Sequence, residues 1–249
     1  MDPFKALLAA VMGYLVGSIS FARLVARVVA PDKDLSETEF RAPGGEEAVV
    51  SHTVSATTVS MHISPRFGFV TVVLDMLKIT ITTLVFKHVY PDTPYFLIAA
   101  TTGMIGHVWP LYHHFKGGRG ISAVYGGMFA IDWIGVFATS VGGMLLGLLV
   151  LRDMLVAYMA GLWLIIPWLW FRTHDVNHLL YGIAVNLIFL LAEIPDVKQY
   201  LRFKRAGKVA DVSKVMQLTG MGRGIYKIGK RLGVLKDEPG QTGDVETVA

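Results

Sequence analysis

A glycine-rich, basic segment lies between two apolar stretches of the sequence. It consists of Lys116, Gly117, Gly118, Arg119 and Gly120. Glycine allows backbone N–H groups to approach an anion, and a helix that starts after Gly120 adds the positive end of its dipole. Together with two cations, these are the parts needed to hold a phosphate. We expect the loop to be exposed, with glycines that serve ligand approach and not packing; the alternative is a flexible turn with ordinary cytoplasmic cations.

Two ionisable residues lie inside an apolar segment. Asp75 and Lys78 are three residues apart, which places them one turn apart on a helix. An ionisable residue inside a membrane span is a functional candidate by default. The alternative is a structural pair that fixes helix packing, and the sequence does not decide between the two.

Thiol and metal chemistry have little support in the sequence. The chain contains no cysteine, which excludes disulfides, thiolate nucleophiles and cysteine-ligated metals. His113 and His114 are adjacent, but no convincing set of further ligands accompanies them. We therefore expect neither a metal nor another cofactor.

The composition indicates a membrane protein. Of the 249 residues, 53% are hydrophobic and only 17% are charged, and the mean hydropathy is +0.51. A soluble domain carries about 25% charged residues. The apolar residues fall in blocks long enough to cross roughly 30 Å of hydrocarbon at about 1.5 Å per residue. The net charge of +4 suits anionic lipid headgroups, and no nucleic-acid-binding module is visible.

The apolar blocks predict an all-α, polytopic membrane protein with about seven transmembrane helices. The apolar run after residue 120 is too long for one span, so we divide it near Asp132. The predicted spans are residues 4–22, 68–86, 95–112, a short helix that ends near 132, then 133–151, 154–171 and 177–192.

Charge distribution predicts the orientation in a plasma membrane. The segment after residue 195 carries Lys198, Arg202, Lys204, Arg205 and Lys208, which places it in the cytoplasm. With seven spans, the N-terminus is then outside, and the loops at 31–66 and 113–120 are cytoplasmic. We divide the chain into a membrane domain, 1–195, and a basic cytoplasmic tail, 196–249, whose end is expected to be disordered.

The basic loop also carries a resemblance. Gly106, His107 and Pro110, followed by Phe-Lys-Gly-Gly-Arg-Gly at 115–120, resemble the second motif of the bacterial acyl-phosphate:glycerol-3-phosphate acyltransferases. That integral membrane family transfers a fatty acyl group from acyl phosphate to glycerol 3-phosphate. Residues 17–21 resemble the end of its first helix, and 75–78 match its Asp-x-Leu-Lys. The resemblance covers about residues 13–201 and implies seven helices with the motifs at the cytoplasmic face.

Two other motifs of the family are altered in this sequence. Its first motif, Gly-Ser-Gly-Asn-Ile-Gly-Ala-Thr-Asn-Val-Leu-Arg, falls on residues 50–61, where the serine is kept as Ser51 but both asparagines and the arginine are absent. In its third motif, Glu193 and Asp196 stand in place of a histidine and an asparagine. Two carboxylates near a phosphate would repel it unless they are protonated or paired with a cation.

The resemblance implies a role for each candidate residue. Lys116 and Arg119 would neutralise the phosphate of the donor, and Lys78 would add positive charge. His107 would brace the loop, and Ser51 would orient a substrate or relay a proton. The implied substrate-binding residues are Gly117, Gly118, Gly120, Glu193 and Asp196.

The sequence favours a membrane acyltransferase that acts on acyl phosphate and glycerol 3-phosphate. A contact with the soluble enzyme that makes acyl phosphate is a further expectation. The alternative is a non-catalytic relative that kept the scaffold and loop and binds a phosphate-bearing lipid or a membrane partner. A small transporter is less supported, because only Asp132 is charged in the last four predicted spans.

Overall fold

A computed structural model of the chain describes residues 1–33, 35, 38–41, 48–51, 53–151, 154–205, 220–231 and 233. Helices dominate this part of the chain, together with one antiparallel two-stranded ribbon between α2 and α3. The elements are α1 (Pro3–Gly17), α2 (Phe21–Val29), β1 (Thr38–Arg41), β2 (Ala48–Ser51), α3 (Ala56–His62), α4 (Pro65–Val89), α5 (Tyr95–Val108), α6 (Ile121–Ile131), α7 (Trp133–Leu145), α8 (Met154–Thr173), α9 (Val176–Arg205) and α10 (Gly220–Arg231).

Local chemistry explains several helix boundaries. Ser64 accepts a hydrogen bond from the backbone N–H of Phe67, and Pro65 occupies the first turn, so α4 starts there. Asp132 separates α6 from α7 because its carboxylate accepts from the N–H groups of Ile134 and Gly135. The predicted division near Asp132 is therefore confirmed.

Four helical segments are long and apolar enough to cross a membrane, as judged by length and composition of the described residues. They are Pro3–Val29, Pro65–Val89, Trp133–Leu151 and Val176–Pro195. The 14-residue α5 and the 11-residue α6 are about 21 Å and 17 Å long, shorter than the hydrocarbon core. The helical, multi-pass membrane architecture is confirmed, while the number of seven crossings stays a prediction.

Close helix packing depends on small residues. A Cβ at Gly17 of α1 would collide with the backbone of Gly103 in α5, and a Cβ at Gly143 of α7 would collide with Gly161 in α8. Gly147 meets Ala157 of α8 in the same way. Backbones can approach this closely only where side chains are absent.

Contacts between helix ends show how the helices alternate in direction. At one end of the bundle, Asp2 before α1 meets Tyr95 at the start of α5, and Lys87 of α4 donates to the carbonyl of Ala130 in α6. At the same end Arg172 of α8 pairs with Asp132. The end of α1, the end of α5 and the start of α6 therefore share the opposite end, which we call the loop end.

Candidate active site

A buried network of charged groups occupies the loop end of the bundle. Lys78 Nζ lies 2.7 Å from Asp75 Oδ1, 2.6 Å from the carbonyl oxygen of Ile19 and 3.2 Å from His107 Nδ1. All three ionisable side chains are buried. An ammonium group can only donate, so we assign Nδ1 of His107 as the acceptor and place the ring proton on Nε2. The network therefore uses all three donors of Lys78.

A break in the first predicted span supplies one of these acceptors. The predicted span runs from 4 to 22, but α1 ends at Gly17 and a second helix starts at Phe21. Carbonyls at a helix end lack intrahelical partners. Lys78 satisfies the carbonyl of Ile19, and the Ser18 hydroxyl bridges the Tyr14 carbonyl and the N–H of Leu111. The break thus binds α1 to α4 and to the segment after α5.

The glycines of the loop pack against His107. The N–H of Gly118 donates to the His107 carbonyl over 3.1 Å. A Cβ at Gly118 would lie 2.6 Å from His107 Nε2, and one at Gly117 would collide with the His107 carbonyl oxygen. Gly117, Gly118 and Gly120 are all buried. The expectation of exposed glycines that serve ligand approach alone is wrong, because these glycines let the loop fold down onto the charged network.

The loop reaches this position through left-handed backbone conformations. His114 and Phe115 have φ values of 51° and 60°, and Gly120 has a φ of 92°. Consecutive non-glycine residues in this region are uncommon and cost conformational energy. Gly120 directly precedes α6 and offers no side chain to cap it, so the first N–H groups of α6 face the loop.

The two loop cations have different surroundings. Lys116 is exposed, and its carbonyl accepts a hydrogen bond of 2.8 Å from Nη2 of Arg23 in α2. Arg119 Nε lies 3.5 Å from Oε1 of Glu193 in α9. Because α9 continues through Pro195 to Arg205, Glu193 sits within the helix. The loop is therefore held from two sides by charged groups.

A small cavity opens between these elements. Its volume is about 10 Å³, about enough for one water molecule. The lining residues are Gly17, Ser18, Ile19, Ser20, Ala22, Val54, Asp75, Lys78, His107, Pro110 and Gly118. The break after α1, the charged network and the loop thus meet at one point.

The structure gathers most of the residues singled out in the sequence. Eight of them lie around the network and loop: Lys78, His107, Lys116, Gly117, Gly118, Arg119, Gly120 and Glu193. Ser51 ends β2 with its backbone opposite Thr38, and Asp196 lies on α9, but both side chains are outside the described part. Val54, three residues after Ser51, lines the cavity.

Arg23 was not predicted as a site residue, because only the hydropathy of its segment was considered. Asp75 was recognised as a pair with Lys78 and not as part of a larger network. His113 and His114 were adjacent in the sequence, yet within the described residues no group of three or more metal-ligating side chains comes together.

Comparison with known proteins identifies the family. The sequence model of the Glycerol-3-phosphate acyltransferase family matches residues 7–202. The chain belongs to this family. Membership confirms the predicted family and the function class of a membrane acyltransferase.

Curated relatives and solved structures agree with this assignment. Glycerol-3-phosphate acyltransferases from Pelagibacter ubique and Brucella suis are 30% and 28% identical, over 51% and 75% of this chain. The alignments span 59% of the Pelagibacter protein and 87% of the Brucella protein. A crystal structure of PlsY, an integral membrane glycerol 3-phosphate acyltransferase in its glycerol 3-phosphate form, is 23% identical with a TM-score of 0.63. That match covers 79% of this chain and 92% of PlsY and shows a shared fold.

Proposed function

We propose that the chain transfers a fatty acyl group from acyl phosphate to glycerol 3-phosphate and so forms lysophosphatidate. The observation that carries this proposal is the meeting of Gly118 of the basic loop with the Asp75–Lys78–His107 network at one cavity, with the N-terminus of α6 directly after the loop. The names of the curated relatives and the glycerol 3-phosphate and lysophosphatidic acid forms of PlsY support the acceptor and product.

The chemistry asks little of the protein beyond position and charge. The acceptor hydroxyl oxygen bonds to the acyl carbon, the bond from that carbon to the phosphate oxygen breaks, and phosphate leaves with the hydroxyl proton. Acyl phosphate already carries a good leaving group, so orientation and charge neutralisation suffice. In this proposal, the exposed Lys116, together with Arg119 and the N–H groups that start α6, holds the phosphate.

The remaining candidates have supporting roles in this proposal. His107 holds the loop through Gly118, and Lys78 fixes His107 through its own contact with Nδ1. Glu193 is neutralised by Arg119, so a carboxylate at this position is compatible with a bound phosphate. Ser51 and Asp196 would orient the acceptor.

We place the loop end at the cytoplasmic face of the plasma membrane, with the N-terminus outside. The basic residues of the loop and of the segment after residue 195 support this orientation. A soluble enzyme that makes acyl phosphate could then deliver it directly to the loop end.

The test is acyl transfer by the purified full-length protein in lipid nanodiscs. Supplied with palmitoyl phosphate and radiolabelled glycerol 3-phosphate, wild type should form lysophosphatidate. The Lys116→Ala, Arg119→Ala double variant should lose both transfer and phosphate-ligand binding. Equal activity of that variant would exclude this loop as the phosphate site. Ligand binding by wild type without transfer would instead support a non-catalytic relative.

A further inference from the structure

Two arginines of α2 lie near the loop at residues 116–120. Arg23 donates through Nη2 to the Lys116 carbonyl over 2.8 Å, and its Nη1 lies 3.4 Å from the Ser20 hydroxyl. Arg27 follows one helical turn later and is exposed. Ala22 and Ala26, each one position before an arginine, are buried, so the arginines lie beside the face of α2 that packs against the protein.

Arg23 and Arg27 differ from two other arginines at the ends of the bundle, Arg119 and Arg172. Arg119 is paired with Glu193, and Arg172 with Asp132. Within the part of the chain that the structure describes, neither Arg23 nor Arg27 forms an ion pair with a carboxylate. The sequences of α2 and of residues 109–120 contain no acidic residue. Within the described residues, no carboxylate therefore neutralises the charge of either arginine.

The positive charge of both arginines acts on His113 in the turn after α5. The pKa of His113 is held below its ordinary value, first by burial and then by the positive charges of Arg23, Arg27 and His114. A positive field at this point favours an anion. Two residues of α2 and the preceding break, Ala22 and Ser20, also line the cavity, so an anion held here would border the same cavity as the loop.

We propose that Arg23, together with Arg27 and His113, forms a second phosphate-binding site on the α2 side of the cavity. This inference rests on the proposed function, in which both substrates carry a phosphate group. The loop holds one of them, and the α2 site holds the other. The guanidinium of Arg23 has five N–H donors, so its contacts with Lys116 and Ser20 leave donors for a phosphate.

The experiment measures KM for each substrate with the full-length protein in nanodiscs of neutral phosphatidylcholine. Arg23→Gln should raise KM for one of the two phosphate-bearing substrates about tenfold, as expected for one charge-assisted contact. KM for the other substrate should stay within about twofold, and the substrate affected identifies the ligand of the α2 site. Arg27→Gln should shift the same KM by a smaller factor, and Arg23→Lys should restore part of the loss.

Arg66→Gln is the matched control, because Arg66 is an exposed arginine at the start of α4 and, among the described residues, forms no hydrogen bond with the loop, unlike Arg23. If wild type transfers acyl groups but Arg23→Gln and Arg27→Gln leave both KM values unchanged, the α2 site is excluded while the proposed function stands. If wild type itself transfers nothing, the proposed function fails first. An effect that appears only in nanodiscs with phosphatidylglycerol would assign the arginines to lipid headgroups and overturn the inference. Should Arg23→Gln fail to fold, Arg27→Gln decides.

Discussion

Nε of Arg119 lies 3.5 Å from Oε1 of Glu193 and so connects the basic loop after α5 with the C-terminal half of α9. Both side chains are mostly buried, at 31% and 17% exposure. The two positions lie more than 70 residues apart in the chain. The third motif of the family has a histidine where this chain has Glu193. The exchange of a histidine for a carboxylate is thus matched by a cation already present in the loop.

This pair predicts the effect of removing the carboxylate. Glu193→Gln should lower acyl transfer, because Arg119 loses the partner that holds it beside the loop. A double-mutant cycle between Glu193→Gln and Arg119→Gln should give a coupling of about 1 kcal/mol in transition-state stabilisation, measured from kcat/KM. The effects of Lys116→Gln and Glu193→Gln should instead add, because Lys116 extends into solvent.

The opposite result is expected if the Glu193 carboxylate weakens substrate binding. If the carboxylate repels phosphate, Glu193→Gln will raise the affinity for glycerol 3-phosphate. The Glu193→His, Asp196→Asn double variant will then bind it more tightly still, because two like charges are removed. That result, with an inactive wild type, would favour the non-catalytic reading.

The contact between Gly118 and His107 predicts a packing defect. Gly118→Ala should lower stability by about 1–3 kcal/mol, since its Cβ would lie 2.6 Å from His107 Nε2. The measurement is Tm in detergent, together with acyl transfer. Gly224→Ala in α10 is the control, because a Cβ there meets nothing within 4 Å; it should be neutral or stabilising by up to about 1 kcal/mol. An unchanged Tm for Gly118→Ala would show that the glycine serves only ligand approach.

Hydropathy predicted the helices well because a span is defined by a long local average. It gave one span over residues 4–22, although Ser18 and Ser20 are polar, whereas in the structure α1 ends at Gly17 and α2 starts at Phe21. The break is stabilised by a hydrogen bond from Lys78, which is distant in the sequence, and by one from the Ser18 hydroxyl. A local average of hydropathy contains no information about either contact. Hydropathy ended the last span at residue 192, whereas α9 continues through Pro195 to Arg205.

The site was predictable in its residues but not in its arrangement. Glycines, cations and the Asp75–Lys78 spacing identified the loop and the pair. The burial of the loop on His107, and the approach of Arg23 to Lys116, depend on how α2 and α5 pack. Neither relationship leaves a periodic pattern in the sequence.

The buried network predicts a strong dependence on both of its charges. Asp75→Asn should lower stability by about 3–5 kcal/mol, because it leaves the Lys78 ammonium buried without its counter-ion. Lys78→Met should have a similar effect, and the double variant should be less destabilised than the sum of both. Transfer should not recover in the double variant, since His107 has lost its contact with Lys78.

A lysine at the other end of the bundle provides the control. Lys87 donates to the carbonyls of Ala130 and Ile131 and has no role in the site. Lys87→Met should cost about 1 kcal/mol of stability and leave kcat/KM near wild type. Full activity of the Asp75→Asn, Lys78→Met double variant would mean that the network is structural only.

The turn between α6 and α7 predicts a pH-dependent contribution to stability. Burial raises the pKa of Asp132, but hydrogen bonds from Arg172, Trp168 and the N–H of Gly135 outweigh it and leave the pKa below its ordinary value of 3.8. Ionised Asp132 therefore stabilises the fold above pH 3.8, and this contribution is lost as the pH falls through the lowered pKa. Asp132→Asn should reduce Tm at pH 7 and approach wild type near pH 3. A constant difference in Tm between pH 7 and pH 3 would refute the electrostatic cause.

The alternation of helix ends predicts the sidedness of three segments. Pro91, at the end of α4, and Thr173, at the end of α8, lie at the bundle end opposite to the loop, so reporters fused after either should read as extracytoplasmic. A reporter after Lys208, which is outside the described residues, should read as cytoplasmic, because it follows α9 on the loop side with its basic residues. Alkaline phosphatase and green fluorescent protein fusions report opposite sides and serve as mutual controls. If all three positions read as the same side, both the seven-span arrangement and the cytoplasmic location of the loop would be wrong, because an odd number of crossings must separate Thr173 from Lys208.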